Sequence, residues 1–259
     1  VRRALIPGLV SALALALAGL ASPAGAHPQS DPLLAENALY STGPIPRSSC
    51  AEKPVKRRNH YPTAKAYVTF VAACLDRVWS KQFAKAKLPF RKPKLQLLAK
   101  NPVWHCDLKW DKRWTSSYCG DYRTITVVLD RRLLRDPDDL SLFTLTAALY
   151  GQHVQRLAGI EKAWVRALPE PADLGYEEDV DDIIRRVLLQ AECLGAAFTS
   201  SVYGSMPRDR ADWAAVVRKR AKERHMGGAE NITYWLNQGF ASRDLQDCNT
   251  WRAENWRVA

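Results

Sequence analysis

Beyond residue 26 the chain has no apolar run approaching about 18 residues, which excludes a membrane-spanning helix there. It has no internal repeat either. Acids are in short supply: 27 aspartates and glutamates stand against 38 lysines and arginines, for a net charge of +11. That surplus favours contact with anionic surfaces such as wall polymers or phospholipid head groups. The positive charge is scattered, with runs at Lys56-Arg57-Arg58, Arg131-Arg132 and Arg218-Lys219-Arg220. It carries no nucleic-acid-binding motif and reads as a solvated basic face.

What is present begins with an export signal. Residues 1–26 pair Arg2 and Arg3 with an apolar run from Leu9 to Ala21 and end in Ala24-Gly25-Ala26, a small-x-small cleavage pattern. No cysteine follows the run, so a lipoprotein anchor is not expected. The reading is a secreted or cell-envelope protein with no transmembrane anchor after cleavage. Six cysteines, an even number in an exported chain, argue for disulfides rather than reactive thiols. Residues 27–49, rich in proline, serine and alanine without a sustained period, read as a flexible leader. Residues 50–259 are long enough for one domain with a sizeable core.

Within that domain, Tyr67, Phe70, Val71, Cys74, Leu75, Val78 and Phe83 recur at helical spacing from Pro62 to about Ala86. Pro89 and Pro93 end the pattern. Strands are expected over residues 94–100 and 123–130, the second alternating Ile125, Val127 and Leu129. Between them Trp104, Trp110 and Trp114 lie among lysines, either as a stacking platform for sugar or peptide or as packing under a disulfide loop. A helix capped by Asp138 or Asp139 runs to about Leu157, and a polar loop follows Gly159 to Gly175. Further helices are expected from Glu177 to about Ser200, from Asp209 to about His225, and around Asn231 to Gln238. The fold class is α+β, mainly helical, with a small β-sheet and disulfide staples.

The stretch Ala147-Ala148-Leu149-Tyr150-Gly151-Gln152-His153-Val154-Gln155 resembles the core helix A-H-E-Y-G-H-H-V-Q of the bacterial neutral zinc metallopeptidases. Arg186, Leu189, Gln190, Ala191 and Cys193 match that family's second helix, R-x-E-L-Q-A-D-C, with Glu192 in place of aspartate. Tyr118-Cys119-Gly120-Asp121, Val127-Val128-Leu129-Asp130 and Trp235-Leu236-Asn237-Gln238-Gly239 are similar to further family elements in the same order. The likeness extends from about Cys50 to Trp251. It implies a zincin-like fold, in which Cys106 pairs with Cys119 and Cys193 with Cys248, leaving Cys50 for Cys74.

The resemblance also implies zinc, and the residues that would hold it are missing. In an H-E-x-x-H helix two histidines grip the metal and the glutamate acts as general base. Those slots hold Ala148, Leu149 and Gln152, and the third ligand position holds Leu188. None of the five histidines is followed by Glu-x-x-His. The expectation is a pseudopeptidase with no catalytic residue and no cofactor, keeping the fold for binding. Polar residues left in its cleft are expected to be His153, Gln155 and Glu192. The partner would be a peptide or protein held along a sheet edge. Two rival readings are an active peptidase with unorthodox ligands, gathering His153, Glu192 and acids from Glu177 to Asp182 around a metal, and a basic protein that binds anionic cell-envelope polymers.

Overall fold

The structure, a computed structural model, describes residues 30–259 apart from 54, 56, 136–138 and 169–176. The signal segment expected over residues 1–26 and the cap expected at Asp138 lie outside the described residues. The described chain is mainly helical, with a three-stranded mixed sheet and three disulfides. None of its helices is long and apolar enough to cross a membrane.

Short helix α1 (Pro32–Ala35) is capped by Asp31, whose carboxylate accepts from Leu33 N, and it leads into a turn of helix at residues 38–42. Leu34, Leu39, Tyr40 and Ile45 are buried, so this part of the expected flexible leader is packed structure. Sequence period missed it because the anchors are irregularly spaced. Each is held by the partners it meets on distant elements rather than by a repeating face.

The long helix α2 (Tyr61–Lys85) begins at an N-cap supplied by His60, with proline in the first turn where its absent donor costs nothing. Three strands follow in one sheet: β1 (Lys94–Leu98), β4 (Ser116–Cys119) and β5 (Thr124–Val128), ordered β1-β5-β4. β1 runs parallel to β5 and β4 antiparallel to it. Central β5 is buried from Ile125 to Val128 without alternation, as a strand covered on both faces must be. Between β1 and β4 a small hairpin of β2 (Trp104–His105) and β3 (Leu108–Lys109) stands apart.

After the short α3 (Arg131–Leu134) come the two motif helices, α4 (Asp139–Leu157) and α6 (Glu177–Tyr203). Helix α5 (Ile160–Ala167) occupies part of the expected loop; Gly159, at φ +80°, turns the chain into it. Helix α6 is the centre of the molecule. From Leu189 to Val202 it is buried nearly all round, because α4 lies along one side and α8 (Ala229–Ser242) along another. Helix α7 (Arg210–Arg220) is fastened by a reciprocal capping box between Asp209 and Asp212.

All three disulfide pairings match expectation: Cys50–Cys74, Cys106–Cys119 and Cys193–Cys248. The last joins α6 to the C-terminal tail. Three bridges are compatible with an exported protein.

Candidate functional site

Helix α4 spends each of its faces differently. Gly151 meets the backbone of Ala191 on α6, and Gly195 of α6 meets the backbone of Ala147 and Ala148 on α4. The two helices therefore touch main chain to main chain. Tyr150 turns toward α2, where its hydroxyl donates to Asp76 at 2.6 Å. The remaining stripe, Ser141, Leu145, Ala148, Leu149 and Gln152, faces a cleft of about 840 Å³. This spacing of i, i+4, i+7, i+8 and i+11 is one side of a helix.

Across the cleft, Leu188, Ala191 and Glu192 come from α6, and Lys219 and Arg220 from the end of α7. The chain from Arg113 to Tyr118, which includes three residues of β4, closes another side. β4 is an edge strand, paired with β5 alone. Ala148, Leu149 and Gln152 on α4 and Leu188 on α6, the four positions at which the resemblance implies ligands and base, thus line one cleft beside a sheet edge.

The three expected polar residues separate. Glu192 lines the cleft and is buried; its carboxylate accepts from Arg220 Nε at 3.2 Å and from Arg220 Nη2. Burial alone would lower the Arg220 pKa, but Glu192 outweighs it and pushes the guanidinium above its ordinary value. His153 lies outside the cleft, with 0% of its surface exposed. Its Nε2 is 2.7 Å from the carbonyl of Arg91, and its Nδ1 is 2.9 Å from the Tyr118 hydroxyl. The carbonyl can only accept, so Nε2 carries the proton and Tyr118 donates to Nδ1. Burial pulls the His153 pKa below its ordinary value.

Gln155 is not a cleft residue either. Its amide donates to the carbonyl of Val187 at 3.0 Å and to Gln190 Oε1 at 2.9 Å, inside the α4–α6 interface. Gln190 donates onward to the Tyr40 hydroxyl at 2.8 Å, which donates to the carbonyl of Leu34 at 3.1 Å. Buried polar groups need such partners, and this relay supplies them. It joins both motif helices to the N-terminal segment.

These positions do not fit a zinc ion. Ala148, Leu149 and Leu188 offer no donor atom, Gln152 offers only a neutral amide, and Glu192 already neutralises Arg220. Asp182, one of the acids proposed for an unorthodox site, holds Arg186 at 2.6 Å. Among the described residues no group of three or more His, Cys, Asp or Glu side chains is placed to hold a metal ion. What the cleft does offer is an apolar floor, the edge strand β4 with Ser116 and Ser117 along its wall, and a basic rim.

Two cleft residues escaped sequence reading. Arg220 reads as part of a solvated basic run, yet it is half of a buried ion pair; its partner is 28 residues away. Tyr118 reads as a family match beside a cysteine, and only the fold sets it against His153. Comparison with protein-family models, curated proteins and solved structures returns no match to the chain. Function is therefore read from the cleft itself.

Proposed function

We propose that this chain is a zincin-like pseudopeptidase, exported and without peptidase chemistry, that holds an extended peptide segment in the cleft between α4, α6 and the edge strand β4. One observation carries the reading. Three of the positions where the resembled zinc peptidases keep ligands and base stand on one turn of α4, and the fourth, Leu188 on α6, is 36 residues further along the chain, yet all four line a single cleft beside a strand edge. A peptide added to that edge would gain main-chain hydrogen bonds from β4 and place alternate side chains toward Leu149 and Leu188. Apolar residues there also have a physical logic. Buried histidines and a glutamate without their metal would be costly, whereas alanine and leucine close the space.

The test has two arms. Elemental analysis of the purified protein, after zinc loading and desalting, is expected to give background zinc while thermal unfolding stays cooperative. Retention of about one zinc per chain would overturn the loss of the metal site. In the second arm, an unfolded, disulfide-free model protein is expected to bind the wild type without being cleaved. Gln152→Trp, which places an indole in the cleft beside β4, is expected to weaken binding at an unchanged melting temperature. Equal binding by the variant would remove the cleft from the reading.

A further inference from the structure

The hairpin of β2 and β3 is built to be rigid. Its two turn residues, Cys106 and Asp107, both have positive φ (55° and 60°), the geometry of the tight primed turn that suits twisted strands. Cys106 is clipped to Cys119 at the end of β4. At its base Trp110 is buried, edge-on to His105 with ring centres 5.5 Å apart, and His105 Nδ1 reaches Thr126 of β5 at 3.1 Å. Trp110 thus takes the packing role, and Trp104 does not.

On this rigid support stand Val103, Trp104 and Leu108, which are 69%, 63% and 65% exposed. They are the three most exposed large apolar side chains among the described residues. In the ladder Trp104 shares a face with Lys109 and Leu108 shares the other with His105, so this one small turn carries exposed apolar side chains on both of its faces. Exposed lysines surround them: Lys109 is opposite Trp104 in the ladder, and Lys100 and Lys112 flank the hairpin. The nearby acids are engaged. Asp111 binds Arg113 at 2.6 Å, and Asp107 accepts from the Tyr122 hydroxyl at 2.7 Å.

We propose that this hairpin docks the protein on anionic phospholipid bilayers, with Val103, Trp104 and Leu108 entering the head-group and acyl boundary and Lys100, Lys109 and Lys112 meeting lipid phosphates. The chemistry of the tip selects this partner. Tryptophan with aliphatic neighbours suits a boundary that is wet on one side and apolar on the other, and the lysines add attraction to negative lipid. A polyanionic wall polymer would satisfy the lysines and leave the three apolar side chains in water. None of the three lines the cleft, so this surface stands or falls separately from the peptide-binding reading.

Vesicle co-sedimentation of the purified protein tests the proposal. At low salt, vesicles of phosphatidylglycerol mixed with phosphatidylcholine are expected to bind the wild type, and phosphatidylcholine alone to bind it at least about tenfold more weakly. The triple variant Val103→Ser/Trp104→Ser/Leu108→Ser changes only exposed side chains, and an unchanged melting temperature would verify its fold. It is expected to lose at least about tenfold in affinity. Lys100→Gln/Lys109→Gln/Lys112→Gln is expected to lose the preference for anionic lipid. Equal vesicle binding by wild type and serine variant would overturn the proposal. So would adsorption to purified wall polymer without vesicle binding, or capture by a protein partner that needs the same three side chains while vesicles fail to bind.

Discussion

At His153 both ring nitrogens are committed, one to a carbonyl that can only accept and one to a hydroxyl that can reorient. Protonating the ring would force Tyr118 to turn its hydroxyl away, inside a site that already disfavours charge. Burial is the largest cause of its lowered pKa; the Arg91 carbonyl and Asp76 pull upward, and Arg123 adds to the lowering. The sign follows directly. Above the ordinary value of 6.5 the ring is neutral in both folded and unfolded chains, and it adds no pH dependence. As pH falls through that value the unfolded chain takes up the proton first, so stability is lost, by at most about 1.4 kcal/mol per pH unit for one group. His105, also held down by burial, acts in the same direction. Denaturant unfolding of wild type and His153→Gln between pH 7.5 and about 5 measures this. The variant, whose amide can donate to Arg91 and accept from Tyr118, is expected to show the shallower slope. Equal slopes would mean that His153 titrates normally. The sequence suggests a cleft residue here, and neither of the partners that hold His153 in the interior is legible in it: Arg91 and Tyr118 are 62 and 35 residues away.

Elements were far more legible than these partners. The apolar period fixes α2 to within a residue or so at each end, and the two motif helices begin and end close to where caps, acids and glycines place them. Helical spacing alone also puts Ala148, Leu149 and Gln152 on one side of α4. What spacing leaves out is how closely helices approach. A Cβ built on Gly195 would lie 2.8 Å from the backbone nitrogen of Ala148, and one on Gly151 would lie 2.6 Å from the carbonyl oxygen of Ala191. Both neighbours are main chain and cannot swing aside. Gly195→Ala therefore has to push α4 and α6 apart, against a closely packed interior. Helix propensity favours alanine by about 1 kcal/mol, and the clash is expected to reverse that, for a net loss of about 1 to 3 kcal/mol. Gly204→Ala is the control, since its Cβ would meet nothing within 4 Å. Thermal melts of the pair decide the matter. Two unaffected variants would mean that the helices have room to part, and that the cleft wall is softer than the backbone contact implies.

For the whole molecule, the decisive segment is residues 30–49, where composition suggests a loose leader and the structure has a strap across the helical core. Its connections reach α2, α6, the ends of α4 and α8, and the C-terminal tail. The Asn37 amide donates to the carbonyl of Ala158 beyond α4, and the carbonyl of Ala35 accepts from Asn249 in the C-terminal tail. Ile45 N donates to the carbonyl of Arg243 after α8, and Ser48 N to that of Ser201 on α6. Cys50 then locks the strap's end to α2. No periodicity can announce such a segment, because its regularity belongs to the surfaces it crosses. Two consequences separate a strap from a leader. In the folded protein, protease digestion is expected to spare residues 32–48, since cleavage needs local opening of buried backbone. Leu34→Ala and Leu39→Ala are each expected to cost about 2 to 5 kcal/mol, a large part of the roughly 5 to 15 kcal/mol available to a typical domain. Because Tyr40 joins the relay through Gln190 to Gln155, the loss should extend beyond the strap and lower the one cooperative transition of the whole chain. An early, separate transition, with the remainder melting as in wild type, would instead make the segment an appendage of a domain that begins at Cys50.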